Sequence, residues 1–481
     1  MSLSDQTHET SPGAPASLHE RRAQHRGPAS WPLAGHALSM LRSPLRFVTS
    51  LPAYGDVVPL RLGSLPVYAV THPELIRQIL VDQAHRFERG RFFEKAKLFV
   101  GPEGLAVTSG TAHLHQRRAL QPLFHRERIA AFNATMRRAV EDVTASWQSG
   151  ATVAVDQDMN RLALTVLTRT LLSGELGDHA TTVFQRSLPV LSRGLIARTV
   201  LPEWYGRIPT PGNHRFHSAI QSVDNVIANA IRSYRQDDRD RGDLLSMLMA
   251  PHHETGRRWS DQQIRDQVLT FLTAGVETTG AILAWIFHEL GNHPTVEQRI
   301  HDELDHVLGG SPPEPDTLAD LEYTGRVIKE TLRRYPLWMT MRRTKAPVRL
   351  GSVTVPAGIE VLYSPYGLHH DPRWFPQPGS FTPDRWLPQR THTIPKGAYL
   401  PFGQGGHHCI GASYSLTEIA TAIAVICQRW RLRPLPNARI TQIARTSVHP
   451  NHLPMIAETR FWSTSRRADP WTSCRAAPAR R

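Results

Sequence analysis

Phe402-Gly403-Gln404-Gly405-Gly406-His407-His408-Cys409-Ile410-Gly411 decides how the rest of the chain is read. Phe402, Gly405, Cys409 and Gly411 fit the spacing F-x-x-G-x-x-x-C-x-G, and an apolar run of helical character follows from Gly411 to Arg431. Glycines let such a loop bend where φ is positive, because they carry no Cβ to clash. A sulfur placed just before a helix meets free N–H groups and the positive end of the helix dipole, which stabilise an anion. No second cysteine lies nearby, so neither a disulfide nor a four-ligand zinc site competes for it. The arrangement suits the presentation of one cysteine thiolate to a haem iron.

Three further segments stand upstream of this loop. Glu330-Thr331-Leu332-Arg333 fits E-x-x-R, Phe381-Thr382-Pro383-Asp384-Arg385-Trp386 is similar to P-E-R-[FW], and Ala274-Gly275-Val276-Glu277-Thr278 fits [AG]-G-x-[DE]-T. Each alone is a weak signal; four in one order are strong. Together they resemble the cytochrome P450 haem-thiolate monooxygenases of the soluble bacterial type, and the likeness runs from about residue 30 to about residue 460. Two departures stand out. Asp384 replaces the usual Glu, and His407 stands where Arg is common, giving a donor whose charge depends on pH.

The resemblance implies a mainly α fold with smaller β regions, in which a haem b lies between a long central helix and the helix behind the cysteine loop. Cys409 is then the axial ligand of the iron, and Phe402 and Gly405 shape its loop. His113 and Arg117, four apart on one helical face, would hold the propionates together with His407 and Arg342, for which Arg343 is a rival. Glu330, Arg333 and Arg385 would form a buried ion network that fixes the cysteine loop. Glu277 and Thr278 would deliver protons during oxygen activation, from a stretch where Gly275 and Thr278 are poor helix formers and a local opening of the helix is expected. Two electrons must arrive one at a time. No flavin or iron–sulfur segment is evident in the chain, so a separate ferredoxin and NAD(P)H-ferredoxin reductase are implied.

Composition narrows the alternatives. The chain has 481 residues, 40% of them hydrophobic, with a mean hydropathy of −0.34. Residues 31–461 read as one haem domain, because the four segments must converge on one cofactor. Residues 1–30 and 462–481 read as disordered, the latter a basic tail, and no stretch approaches the roughly 20 apolar residues of a membrane span. A cytoplasmic enzyme is expected. Three cysteines, Cys409, Cys427 and Cys474, do not make a disulfide framework. The net charge of +14 is not gathered into a nucleic-acid-binding pattern; a basic face around the cysteine could dock an acidic ferredoxin. The pairs His369-His370 and His407-His408 lack the spacing of a helical zinc site.

Local patterns give the outline. Val57–Leu62 and Pro66–Val70 around Gly63-Ser64 predict a hairpin, and Pro73–Val81 a short helix. Residues 88–110 read as a long loop. Helices dominate from about 111 to 335, with a break at Trp204–Gly212. The clearest helix starts at Ser260, with Gln263 completing a capping box, and stops before Pro294.

Phe92, Phe93 and Phe99, with Ala274, Leu337, Trp338 and Met339, are the expected pocket lining, and an apolar pocket suits a mostly hydrocarbon substrate. Gly55-Asp56-Val57-Val58, Val67-Tyr68-Ala69-Val70-Thr71, Pro73-Glu74-Leu75 and Tyr363-Ser364-Pro365-Tyr366 resemble actinobacterial members that oxidise cyclic sesquiterpenes. Hydroxylation of a cyclic terpene in secondary metabolism is therefore expected. A polyketide, macrolide or fatty acid is the alternative substrate, and a haem-thiolate protein that binds or senses a ligand is the non-enzymatic alternative.

Overall fold

The computed structural model describes residues 27–171, 177–237, 243–250 and 258–460. The expectations for residues 1–26 and 462–481, Cys474 included, lie outside them. The predicted hairpin forms: β1 (Val57–Leu62) and β2 (Leu65–Val70) pair antiparallel around Gly63, whose φ is +62°. They belong to a five-stranded sheet completed by β3 (Phe87–Arg89), β4 (Thr340–Thr344) and β5 (Glu360–Tyr363), in the order β1-β2-β5-β4-β3. The β2–β5 pair is parallel and the others antiparallel. Register sets Arg89 opposite Arg342.

Between β3 and the first long helices the sequence reading needs correction. Residues 91–100 are not loop but helix α1 (Arg91–Val100), in which Phe92, Ala96, Phe99 and Val100 form a buried stripe. That spacing of i, i+4, i+7 and i+8 is helical; the charged residues interleaved with it hid the period.

Helix α2 (Gly110–Leu120) carries His113 and Arg117; α3 (Val155–Leu171) packs on the long helix that follows, and α4 (Gly177–Val200) packs against α5 (Pro211–Asp237). The break predicted near Trp204 separates α4 from α5 and holds a short 3-10 turn, Glu203–Arg207. The axis of the domain is α6 (Asp261–Asn292), 32 residues that rise on the order of 48 Å. Its start matches expectation: Ser260 Oγ accepts the Gln263 amide, and the Gln263 side chain accepts from Ser260 N. By length and composition α6 could cross a membrane, but 78% of its most apolar window is buried inside the domain.

Helix α6 is unbroken through Ala274–Thr278, so the expected local opening is absent. Gly275 serves packing instead, since a Cβ there would lie 2.6 Å from the Leu167 side chain of α3. After α7 (Pro294–Leu308) and α8 (Glu322–Arg334) the chain becomes rich in turns, then re-enters the core as α9 (Ala412–Arg429). A final hairpin, β6 (Gln442–Ala444) and β7 (Val448–Pro450), is tied to α6 by Trp285 Nε1, which donates to Val448 O at 2.9 Å.

Candidate active site

The cysteine loop is built as its glycines require. Gly403 and Gly405 have φ of +69° and +70°, and a Cβ on Gly405 would meet Leu80 O at 2.0 Å. The Cys409 amide donates to Phe402 O at 2.9 Å, closing the loop. Arg117 Nη1 donates to His408 O at 2.7 Å, so α2 grips the loop from outside. Cys409 precedes α9 by three residues and is accessible. Although the residue keeps solvent access, the protein packed around the sulfur pushes its thiol pKa up, while the Gly411 N–H and the Arg117 charge pull it down. Helices α9 and α6 are joined by Thr279 Oγ1 and Ser415 Oγ at 2.9 Å, which sets the cysteine helix against the Ala274–Thr278 turn.

That turn is the exposed part of an otherwise buried stretch of α6: Ala274 is exposed, whereas Leu272, Val276 and Glu277 are buried. Thr278 Oγ1 donates to Ala274 O at 2.6 Å, bonding back along its own helix. Glu277 points elsewhere. Its Oε2 accepts from Thr446 Oγ1 at 3.2 Å, and burial raises its pKa to about 7 against the opposing pull of Ser192, Arg445, Thr446 and Arg193.

Basic side chains gather beside the loop. His113 and His407 meet ring to ring, with centroids 4.0 Å apart and Nε2 to Nδ1 at 3.1 Å. Burial, then the charges of Arg89, Arg117 and Arg342, lower the His113 pKa to about 4; His407 is depressed further, by burial and then chiefly by Arg89. Arg342 is buried and its Nη1 reaches only Met341 O. Arg343, the rival, is already engaged by Glu94 and Glu360 at 2.7–2.9 Å. Arg89 was not among the expected residues. Its guanidinium lies 4.1 Å over the Phe93 ring, its Nε is buried without a hydrogen bond, and burial and Arg342 lower its pKa. A signal existed in the strand Phe87–Arg89, but only its register with Arg342 reveals the pairing.

A buried group of cations without an anion is costly unless a ligand supplies the charge. Arg89 and Arg342, flanked by the neutral rings of His113 and His407 and next to a lone cysteine at a helix N-terminus, therefore fit a haem, whose propionates are the matching dianion and whose iron takes the thiolate.

A buried ion network joins α8 to the Ser380–Trp386 segment. Glu330 and Arg333 form a two-point pair at 3.0 and 2.9 Å, with both side chains 0% exposed. Glu330 also accepts from Thr382 N at 3.1 Å and Trp386 Nε1 at 2.9 Å, and Arg385 Nε stands 3.6 Å from its Oε2. Arg333 donates to His369 O at 3.0 Å and Ser380 O at 3.2 Å. Asp384, the shortened acid, instead binds Arg299 at 2.8 and 3.0 Å and Arg326 at 3.2 Å.

The expected pocket residues divide. Phe93 lies edge-on to Phe92 and under Arg89, beside the cation group. Leu337 is half-buried and bridges to Ser447. Phe99 instead packs edge-on against Phe216 of α5 in the core. Trp338 and Met339 are also core, and Trp338 Nε1 donates to Arg445 O at 2.5 Å.

Comparison with known proteins gives one answer. The family model described as Cytochrome P450 matches residues 26–456. Cyclooctat-9-en-7-ol 5-monooxygenase of Streptomyces melanosporofaciens is 43% identical over 90% of this chain and 95% of its own length. Cyclooctatin synthase of the same organism is 42% identical over 93% and 97%. Pentalenene oxygenase of Streptomyces avermitilis is 36% identical over 89% and 95%. Among solved structures, the heme domain of cytochrome P450DA superposes with a TM-score of 0.80 over 90% of this chain and 97% of that one, at 24% identity.

Proposed function

This chain belongs to the cytochrome P450 family, and on that premise we propose that it hydroxylates a cyclic terpene, a polycyclic hydrocarbon or an alcohol derived from one, in secondary metabolism. The observation that carries the substrate reading is near-full-length likeness to relatives named for cyclooctat-9-en-7-ol and pentalenene. When bound, the haem supplies the one-electron chemistry by which one atom of O2 enters a C–H bond and the other leaves as water.

The chain's own residues supply placement and protons. Cys409 provides the thiolate, held by the Phe402–Gly411 turn and by Arg117 on the carbonyl before it. Arg89 and Arg342 balance the propionates, and the neutral His113–His407 pair adds a ring N–H donor. Glu330 and Arg333, with Arg385 at their edge, keep the loop in place. Ala274 leaves room on α6, and Phe93 and Leu337 offer apolar surface to a hydrocarbon. Glu277, a buried carboxyl with a pKa of about 7, holds a proton that it can release near neutral pH, which suits a general acid. Thr278 offers a hydroxyl within one turn of the exposed Ala274.

Haem b in residues 31–461, electrons from a ferredoxin and its NAD(P)H-dependent reductase, and a cytoplasmic setting complete the proposal. The test is a Soret-region titration of the haem-loaded protein with pentalenene, cyclooctat-9-en-7-ol, a fatty acid and a macrolactone. A saturable low-spin to high-spin shift with the terpenes alone is expected. A shift only with the fatty acid or the macrolactone overturns the terpene assignment.

A further inference from the structure

One oxygen of the Glu277 carboxyl accepts from a hydroxyl in another part of the fold, a second hydroxyl backs that one, and the other carboxyl oxygen, Oε1, is buried without a hydrogen bond. Strand pairing ends at Ala444 and Val448, leaving Arg445, Thr446 and Ser447 as the tip of the β6–β7 hairpin, closed by Arg445 N donating to Ser447 O at 2.9 Å. The tip cannot drift. Trp338 Nε1 holds Arg445 O at 2.5 Å, Ser447 bridges to Leu337, and Ser447 Oγ meets His449 Nε2 at 3.1 Å. From this fixed tip Thr446 Oγ1 donates to Glu277 Oε2 at 3.2 Å, while Ser192 Oγ of α4 lies 2.8 Å from the same Thr446 oxygen.

We propose that Thr446 is a positioning residue for Glu277: its hydroxyl, anchored by Ser192, fixes the carboxyl in the orientation from which it passes protons into the site. This rests on the proton-delivery reading of Glu277. A hydroxyl both donates and accepts, so Thr446 donates to the carboxylate and can turn to accept when Glu277 carries the proton, with Ser192 reversing in step. Helix α6 supplies neither hydroxyl, and the chain Ser192–Thr446–Glu277 closes only when α4, α6 and the hairpin are all in place.

The charged surroundings bear on the outcome. Burial raises the Glu277 pKa, and Ser192, Arg445, Thr446 and Arg193 oppose it. Asp156 of α3 also acts on Arg445, and His449 is kept neutral by burial, its pKa lowered to about 3. Removing the Thr446 hydroxyl therefore leaves the burial effect less opposed.

The experiment uses the full chain loaded with haem. The infrared band of the protonated Glu277 carboxyl, assigned by its loss in Glu277→Gln, is titrated in the parent, Thr446→Val, Thr446→Ser and Ser192→Ala. Haem content is checked by the Soret band. Thr446→Val is expected to move the midpoint up by about one pH unit, as for a lost hydrogen bond to a charged group. Thr446→Ser should restore it, and Ser192→Ala should shift it in the same direction. With cyclooctat-9-en-7-ol, ferredoxin and reductase, product per NADPH should fall several-fold in Thr446→Val. An unchanged midpoint in Thr446→Val, or in Ser192→Ala if the valine variant does not fold, overturns the positioning role. Full coupling in Glu277→Gln would instead overturn proton delivery by Glu277, and the infrared midpoint would still decide whether Thr446 positions it.

Discussion

Arg89 and Arg342 face each other across the β3–β4 pair, Cα partner to Cα partner, and neither forms an ion pair with a carboxylate among the described residues. Directly opposed residues share one face of a sheet, so two guanidinium groups are pressed together where only an external anion can balance them. Replacing Arg89 with Leu should act in opposite directions on the two forms of the protein. Without haem the repulsion is relieved, and the melting temperature should rise. With haem a propionate loses a partner, and haem transfer to apomyoglobin should quicken by about ten-fold, the scale of one charge-assisted hydrogen bond. A fall in stability without haem would show that Arg89 is a structural residue.

Glu330 and Arg333 test a different dependence. Both are fully buried and satisfied only by each other and their neighbours, so Arg333→Ala strands a charge at a cost of roughly 3–5 kcal/mol. Little haem-loaded protein should accumulate, judged by the ratio of Soret to protein absorbance. Asp384→Asn is the contrast. Its partner Arg299 is 47% exposed and Asp384 itself 34%, a setting in which ion pairs contribute about 0–1 kcal/mol, and near-normal haem loading is expected.

Glu418 lies wholly inside α9 with Oε1 lacking a hydrogen bond, and burial raises its pKa well above the usual range. With a folded pKa above the unfolded one, the native state keeps a proton that the unfolded state releases. The native state is thus favoured most at pH below the ordinary carboxylate range, and stability falls as pH rises through that range towards the folded value. Glu418→Gln removes this dependence. Its melting temperature should exceed the parent's at pH 8 and approach it at pH 4; equal curves at both would show that the carboxyl is solvated.

The Arg91 side chain ties α1 to the connection between α4 and α5. Arg91 Nε donates to Thr199 O at 2.8 Å, Nη2 to Leu201 O at 2.7 Å and Arg198 O at 3.3 Å, and Nη1 to Glu203 at 2.6 Å; Lys95 joins on Glu203. The last carbonyls of a helix have no partner within it, and here a guanidinium supplies one. Because α1 also carries Phe93, loosening this strap should loosen the pocket. Arg91→Ala is expected to raise the dissociation rate of a spin-shifting terpene by about ten-fold in stopped flow. Glu203→Gln, which leaves the carbonyl contacts, should change it far less.

Much of the site was legible because it is local in sequence. The Phe402–Gly411 spacing, the i, i+3 pair of Glu330 and Arg333, and the Ser260–Gln263 capping box each fit within a few turns of chain, and each has the expected geometry. What escaped depends on contacts between distant segments. A three-residue strand has no readable period, so Arg89 became visible only through its register with Arg342. Thr446 reaches Glu277 from the hairpin tip, and Ser192 of α4 reaches Thr446. Gly275 suggested a weak helix, whereas the Leu167 side chain that fills the space beside it shows a packing role.

Thr278 separates structure from chemistry most cleanly. Its hydroxyl is bonded to Ala274 O at 2.6 Å, a back-bond that stabilises the helix little, and alanine is the better helix former by up to about 0.7 kcal/mol. Thr278→Ala should therefore melt at or slightly above the parent temperature and load haem normally. If the hydroxyl leaves Ala274 O to manage protons during the reaction, the same variant should consume NADPH and O2 while releasing peroxide, with product per NADPH reduced several-fold, and Thr278→Ser should recover most of it. A variant that loses stability yet keeps its coupling would assign the hydroxyl to the helix alone. The two readouts move independently because the back-bond and the exposed face of Ala274 occupy the same turn of α6 without sharing an energetic role.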